Sequence, residues 1–200
     1  MIVNDIEIIE GSIDDLKSVY QRFTTYFASD ELKRYQHFKL LMSKKNYKLL
    51  LAKDPIIDEI VGYAFIYEFN QLQAIWLDYM AIDNRFRSSG YGAQLFKELT
   101  KWAGGIFIEV EIPEENEGGT RENQLRRITF YERLGAKVLP IPYQLPTNEG
   151  GLPMYLYFWQ SHDIERPSKE QIQEAITEVF TAIHSDIKHK DDILIKIFSE

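Results

Sequence analysis

The chain has 200 residues, 44% hydrophobic side chains and a formal net charge of −8. This acidic balance disfavours a nucleic-acid partner, because phosphate binding needs a basic face. Cysteine is absent and the four histidines are dispersed, so we expect neither disulfides nor a bound metal. No apolar run approaches the roughly 20 residues of a membrane span, and no basic segment followed by an apolar one opens the chain. We therefore expect a cytoplasmic protein without a membrane partner.

Strand and helix patterns alternate over the first 160 residues. The predicted strands are residues 6–10, 47–52, 60–69, 74–82, 105–112, 137–140 and 152–159. The predicted helices are a segment starting at Ser12 and residues 30–43, 90–103 and 124–134. The polar residues 113–123 are expected to form a mobile acidic loop. Aromatic side chains alternate along the strands at 60–69 and 152–159, and such stripes either belong to the core or shape a pocket for a cationic ligand.

The pattern after residue 163 is helical only. Pro167 followed by Ser168 and Gln171 is typical of a capped helix start, and the helix should run to about Ser185. Its apolar stripe must be buried, either on the same domain or across a homodimer. We therefore predict one domain at residues 1–163 and a C-terminal helical appendage at residues 164–200.

A glycine-punctuated turn joins the strand at residues 74–82 to the helix at residues 90–103. Gly90 and Gly92 carry no Cβ, so a ligand can approach the backbone closely. The first turn of the helix leaves backbone N–H groups unpaired, and together with the helix dipole they favour an anion such as a pyrophosphate. Arg85 and Arg87 add positive charge. The pattern predicts a phosphate cradle.

Spacing separates the nucleotide-binding folds that use such a cradle. A P-loop needs a Gly-Lys-Ser/Thr sequence that is absent here. A Rossmann fingerprint needs a third glycine or alanine where Leu95 stands, and an acidic residue near the end of a following strand. An NAD-dependent Rossmann enzyme would also have a wholly parallel sheet. Both alternatives fit poorly.

Two segments resemble signatures of the GNAT N-acetyltransferase superfamily. Arg87-Ser88-Ser89-Gly90-Tyr91-Gly92 matches its Gln/Arg-x-x-Gly-x-Gly/Ala element without a gap. Farther along, Phe130-Tyr131-Glu132-Arg133-Leu134-Gly135-Ala136 is similar to its Tyr-x-x-x-Gly-Phe/Ala element. The resemblance covers about residues 2–160 and implies an α/β (α+β) fold. The implied sheet is mixed and mostly antiparallel, with one parallel crossover at the coenzyme A (CoA) site and helices on both faces.

The resemblance also implies acetyl-CoA as co-substrate and transfer of its acetyl group to a primary amine in a ternary complex. The acceptor would be a small molecule or a peptide, and the acidic chain makes a cationic one easier to accommodate. Backbone groups of Met80 and Ile82 are implied to contact the pantetheine and to orient the thioester carbonyl. The residues assigned to CoA by the resemblance are Met80, Ala81, Ile82, Arg87, Ser88, Ser89, Gly90, Tyr91, Gly92 and Ala93.

Acetyl transfer requires a base, because an amine with a pKa near 10.4 is almost wholly protonated at neutral pH. The candidates are carboxylates in two apolar strands expected to lie side by side: Asp78, Glu109 and Glu111. Glu109 ranks first because it lies at mid-strand. The alternative is that these acids face solvent or pair with arginines such as Arg126 or Arg127. In some histone-acetylating members of the family a glutamate stands in place of Trp76, and this departure disfavours a histone-type enzyme.

Tyr131 is the candidate acid, since the family implies a phenol there that protonates the departing CoA thiolate. The alternative is a core aromatic at a helix end. Many members carry an asparagine earlier on this helix, and Leu125 or a neighbour replaces it. A different class of function is also open: a non-catalytic acyl-CoA-binding or sensor module whose C-terminal helix engages a partner.

Overall fold

The computed structural model describes residues 5–23, 32–116 and 118–199. Its strands are β1 Glu7–Gly11, β2 Tyr47–Asp54, β3 Glu59–Glu68, β4 Ala74–Ile82, β5 Gly105–Glu111, β6 Lys137–Val138, β7 Gln144–Thr147 and β8 Gly150–Gln160. Its helices are α1 Ile13–Phe23, α2 Tyr35–Met42, α3 Tyr91–Trp102, α4 Gly119–Arg133, α5 Lys169–Ala182 and α6 Lys190–Ser199. The strand order is β1-β2-β3-β4-β5-β8-β6, with β7 paired to β8. The sheet is mostly antiparallel with one parallel pair, and the predicted fold class is confirmed.

The chain divides into two compact units. The first has the bounds Met1–Gln71 and Leu77–Ala103. In it β2 pairs antiparallel with β1 and β3, and its residues are buried almost throughout because they face the core on both sides of the sheet. The core side chains that the three helices contribute include Leu16, Val19, Phe38, Leu41, Leu95, Phe96 and Leu99.

The second unit has the bounds Leu72–Trp76 and Gly104–Glu200. Its central strand β8 pairs antiparallel with β5, β6 and β7, and this register sets Leu156 opposite Glu109. The apolar stripe of α5 is buried in this unit: Ile172, Ala175, Ile176, Val179 and Phe180. This unit contains residues on both sides of the predicted boundary between residues 163 and 164. The predicted division into two domains therefore stays a prediction, and so does the homodimer.

Several elements differ from the sequence-based expectation. The helix expected at residues 124–134 begins at Gly119, so part of the expected acidic loop is helical. The sequence does not indicate this helix start by an apolar stripe, because Tyr131 is the one buried residue among the helix residues described. The strand β7 was not predicted, because Pro146 is unusual in a strand and is tolerated here where β7 pairs with β8. The helix expected at residues 30–43 begins only at Tyr35, because Arg34 is its N-cap with an extended backbone and residues 32–34 are not helical. Residue 30 itself lies outside the described residues.

Candidate functional site

The connection from β4 to α3 takes a left-handed backbone at two residues. After β4 the Asp83 side chain caps a short 3-10 turn over Asn84–Phe86. Ser88 then has a φ of 62° and Gly90 a φ of 89°, and α3 begins at the next residue. A residue with a Cβ is strained in this conformation by about 1–2 kcal/mol, so glycine is favoured immediately before the helix.

The backbone amides from Ser88 to Gly92 donate to no acceptor within the described part of the chain. The first helical bonds from this turn are those from Ala93 and Gln94 to the carbonyl of Gly90, at 3.1 and 3.2 Å. Free amides in a turn of positive φ, at the positive end of a helix dipole, make a concavity that suits an anion. The turn therefore fits the phosphates of CoA, and the predicted set that runs from Arg87 to Ala93 forms it.

Less positive charge surrounds this turn than the sequence indicated. Arg85 bonds Glu59 at 2.9 Å and Asp83 at 3.4 Å, so its charge is offset by two carboxylates. Burial raises the pKa of Asp83, but hydrogen bonds from Arg85 and the charges of Arg85 and Arg22 outweigh burial and lower it. Arg87 donates from Nε to the carbonyl of Ile82 at 3.2 Å, which ties the turn to the end of β4.

Tyr91 anchors the start of α3 to the end of β2. Its hydroxyl donates to Oδ2 of Asp54 at 2.6 Å, and Oδ1 of Asp54 accepts the amides of Ile56 and Ile57 at 2.8 and 3.3 Å. Asp54 is wholly buried. The hydrogen bond to this carboxylate and burial raise the pKa of Tyr91. The anchor fixes the position of the glycine turn, and sequence analysis had not identified Asp54.

The three candidate bases occupy different environments. Asp78 is buried and accepts from Lys33 Nζ at 2.7 Å and from the Tyr47 hydroxyl at 2.5 Å. Burial, and then the charge of Asp78, raise the pKa of Tyr47 well above its usual value, so Tyr47 remains a donor. Both oxygens of Asp78 are thus occupied within the first unit, an arrangement typical of a structural ion pair.

Glu111 is paired as well. Its Oε1 accepts from the Arg127 guanidinium, an arginine that the sequence had offered as a partner, and its Oε2 is buried without a hydrogen bond to any described residue. Arg126 instead pairs with Glu122 at 3.7 Å along α4. Glu111 is thus held in an ion pair through one of its two oxygens.

Glu109 is half-buried on β5, and its two oxygens accept from neutral donors of the second unit. The Trp76 indole N–H donates to Oε2 at 3.3 Å, and the Tyr143 hydroxyl donates to Oε1. These bonds orient the carboxylate, and both come from neutral donors. Asp78 and Glu111, in contrast, each accept from a cationic side chain. Trp76 thus contributes a donor to this carboxylate.

Tyr131 lies buried near the end of α4. Its carbonyl accepts the Ala136 amide at 3.0 Å, and Gly135 ends the helix with a φ of 96°. Burial raises the pKa of Tyr131 to about 12, with the charge of Arg127 opposing the rise and that of Glu111 adding to it. The phenol is therefore protonated at neutral pH, as a proton donor must be.

The sequence did not single out Tyr143. It lies between β6 and β7 in the segment Leu139-Pro-Ile-Pro-Tyr143, whose closely spaced prolines were the one available signal of a rigid loop.

The aromatic stripe on β3 is buried, with Tyr63, Phe65 and Tyr67 at 5% exposure or less, so these side chains belong to the core. Within the described ranges no cluster of acids and histidines could hold a metal ion, and no helix is long and apolar enough to cross a membrane.

Solved structures with a similar fold are acetyltransferases by name. A chain described as a GNAT-family acetyltransferase from Bacteroides thetaiotaomicron aligns with a TM-score of 0.72 at 22% identity, covering 88% of this chain and 97% of that one. The ribosomal-protein-S18-alanine N-acetyltransferase of Escherichia coli gives 0.58 at 16% identity, with 82% and 97% covered. The spermidine N-acetyltransferase of Vibrio cholerae, in complex with CoA and spermine, gives 0.58 at 10% identity, with 78% and 95% covered.

No curated protein matches the chain significantly. The model of the acetyltransferase (GNAT) family, in contrast, matches residues 13–136. This span includes both the glycine turn before α3 and the Tyr131 element at the end of α4. Members of the family use acetyl-CoA, in agreement with the anion-binding turn. The chain therefore belongs to the GNAT acetyltransferase family.

Proposed function

We propose that the protein is an N-acetyltransferase that transfers the acetyl group of acetyl-CoA to a primary amine by direct attack in a ternary complex. The observation that carries this proposal is the carboxylate of Glu109, which the neutral donors Trp76 and Tyr143 orient. Acetyl-CoA supplies the activated thioester. Residues from Arg87 to Ala93 would hold its phosphates, and backbone groups of Met80, Ala81 and Ile82 its pantetheine.

In this proposal Glu109 takes the proton from the acceptor ammonium, directly or through one water. The amine nitrogen then forms a bond to the acetyl carbon, and the bond from that carbon to sulfur breaks. General-base catalysis of this kind contributes typically 10²–10⁴-fold to a rate. Asp78 and Glu111 are less suited, since each already holds a cation.

Tyr131 is the proposed proton donor to the departing sulfur. Its support is its protonation state, since burial keeps the phenol neutral far above physiological pH. An amide pointing at the thioester oxygen from the end of β4 would stabilise the developing negative charge.

The proposed acceptor is an amine of a small molecule or peptide, with cationic amines favoured. A net charge of −8 attracts cations and repels anionic acceptors. The named substrates of two structural neighbours, an alanine of ribosomal protein S18 and spermidine, cover both the protein and the small-molecule case. A cytoplasmic location, where acetyl-CoA is available, is part of the proposal.

The test is an acetyl-transfer screen over polyamines, aminoglycosides, amino acids and peptides. Since the chain has no cysteine, a thiol reagent in the assay reports CoA release alone. We expect thiol release that depends on the amine, with the acetylated amine identified by mass. CoA binding by calorimetry without turnover on any amine would contradict the proposal and favour a non-catalytic sensor module.

A further inference from the structure

We propose that Tyr143 is a positioning residue for Glu109, and that helix α5 of the C-terminal segment holds Tyr143 in place. The inference rests on the proposed function, because it concerns the same carboxylate. It gives a role in the chemistry to a helix outside residues 13–136, the part matched by the family model.

The backbone of Tyr143 is fixed against the sheet. Its carbonyl accepts the Met154 amide of β8 at 3.0 Å, and its own amide donates to Ile141 at 2.8 Å. In the β5–β8 register Met154 stands opposite Glu111, two residues from Glu109. Pro140 and Pro142 restrict the backbone just before the tyrosine. Tyr143 therefore approaches Glu109 from a segment with little conformational freedom.

The ring of Tyr143 is enclosed by aromatic side chains. It lies 5.8 Å from Trp76, the second donor to Glu109, and 6.3 Å from Phe180 of α5 in an edge-on arrangement. Only 1% of Tyr143 and 1% of Phe180 is exposed. A ring confined on two sides cannot turn its hydroxyl away from Glu109 without displacing a packed neighbour. Phe180 is thus the contact by which α5 supports the carboxylate.

The consequence for catalysis is a fixed direction of the Glu109 oxygens. A glutamate side chain has several rotatable bonds, and each donor here removes part of that freedom. A misplacement of about 1 Å at a reacting group costs up to ~10²-fold in rate. Loss of the Tyr143 hydroxyl should therefore slow acetyl transfer and leave the affinity for CoA unchanged.

The first experiment compares Tyr143→Phe with Tyr157→Phe, using the best amine of the screen. Tyr157 is a matched control, because its buried hydroxyl also donates to a glutamate of the second unit, Glu132, at 3.0 Å. We expect kcat to fall about 10- to 100-fold in Tyr143→Phe and to stay at the wild-type value in Tyr157→Phe. The Kd for CoA should be unchanged in both. Equal kcat values in wild type and Tyr143→Phe, or an equal fall in both variants, would overturn the inference.

The second experiment tests the link to α5 through Phe180→Leu, alone and combined with Tyr143→Phe. If Phe180 acts through the Tyr143 hydroxyl, its substitution lowers kcat in the wild-type background and has little further effect once the hydroxyl is gone. Fully additive effects on kcat would overturn this part. Thermal unfolding of every variant establishes that it is folded, and Phe180→Met replaces Phe180→Leu if the latter unfolds.

The outcomes also separate this inference from the proposed function. If the wild-type protein transfers acetyl to no amine, the proposed function fails. If the wild type is active and Glu109→Gln is inactive, while Tyr143→Phe keeps the wild-type kcat, the function stands and the positioning role fails.

Discussion

Three carboxylates of the same chemical type have different partners in the structure. The sequence indicated Asp78, Glu109 and Glu111 by their positions in apolar strands, since period-two alternation places side chains on a face. The sequence did not indicate which of these carboxylates would be paired with a cationic side chain. Lys33 and Tyr143, the partners of Asp78 and Glu109, lie 45 and 34 residues away along the chain, and only the fold brings them near.

A first prediction concerns the single residue Tyr131. If the phenol donates its proton to the CoA sulfur, Tyr131→Phe should slow the chemical step by about 10²-fold, a typical loss for a general acid. Single-turnover acetyl transfer followed by thiol release measures this step. An unchanged rate would remove Tyr131 from the mechanism.

Titration of Tyr131 supplies a check that does not depend on activity. A tyrosine in an unfolded chain titrates near pH 10, and the folded pKa is about 12. The folded state therefore keeps a proton that the unfolded state loses, so the stability from this group is complete below about pH 10 and declines up to about pH 12. In Tyr131→Phe the free energy of unfolding should fall less steeply between pH 9 and 11 than in wild type. The same slope in both proteins would contradict the raised pKa.

At the scale of elements, the connection between β4 and α3 was the most predictable part of the site. Glycine at a position of positive φ and a helical apolar pattern beginning just after it are local features, so the sequence alone placed the helix start within one residue. The anchor to β2 was not predictable, because Asp54 lies 37 residues before Tyr91.

We predict that Tyr91→Phe weakens CoA binding. The substitution removes a donor from the buried carboxylate of Asp54, which should cost about 1–3 kcal/mol of stability, and it releases the first turn of α3. Calorimetry should show a Kd for CoA raised by about 3- to 10-fold, since only a supporting contact and no amide of the turn is lost.

Tyr47→Phe is the control, because it removes a hydroxyl from another buried carboxylate of the same unit, Asp78. Its stability should fall by a similar amount while its Kd for CoA stays near that of wild type. If both variants bind CoA equally well, the bond between Tyr91 and Asp54 does not position the turn.

At the scale of the whole molecule, two short motifs at the right distance predicted the family and the mixed sheet. The glycine turn predicted acetyl-CoA as the acetyl donor, because backbone amides at a helix start bind phosphate independently of the other residues of the chain. The acceptor was less predictable, since the groups that shape its site come from distant segments. The C-terminal helices illustrate the limit: the apolar stripe of α5 was evident from spacing, whereas the contact of Phe180 with Tyr143 depends on packing.

Single-turnover acetyl transfer by Glu109→Gln at saturating acetyl-CoA tests whether Glu109 is the base, with Glu111→Gln as the matched control on the same strand. If Glu109 deprotonates the acceptor, its variant should lose at least about 10²-fold in rate with the same Kd for CoA, while Glu111→Gln keeps most of the wild-type rate. A wild-type rate in Glu109→Gln would show that Glu109 is not the base.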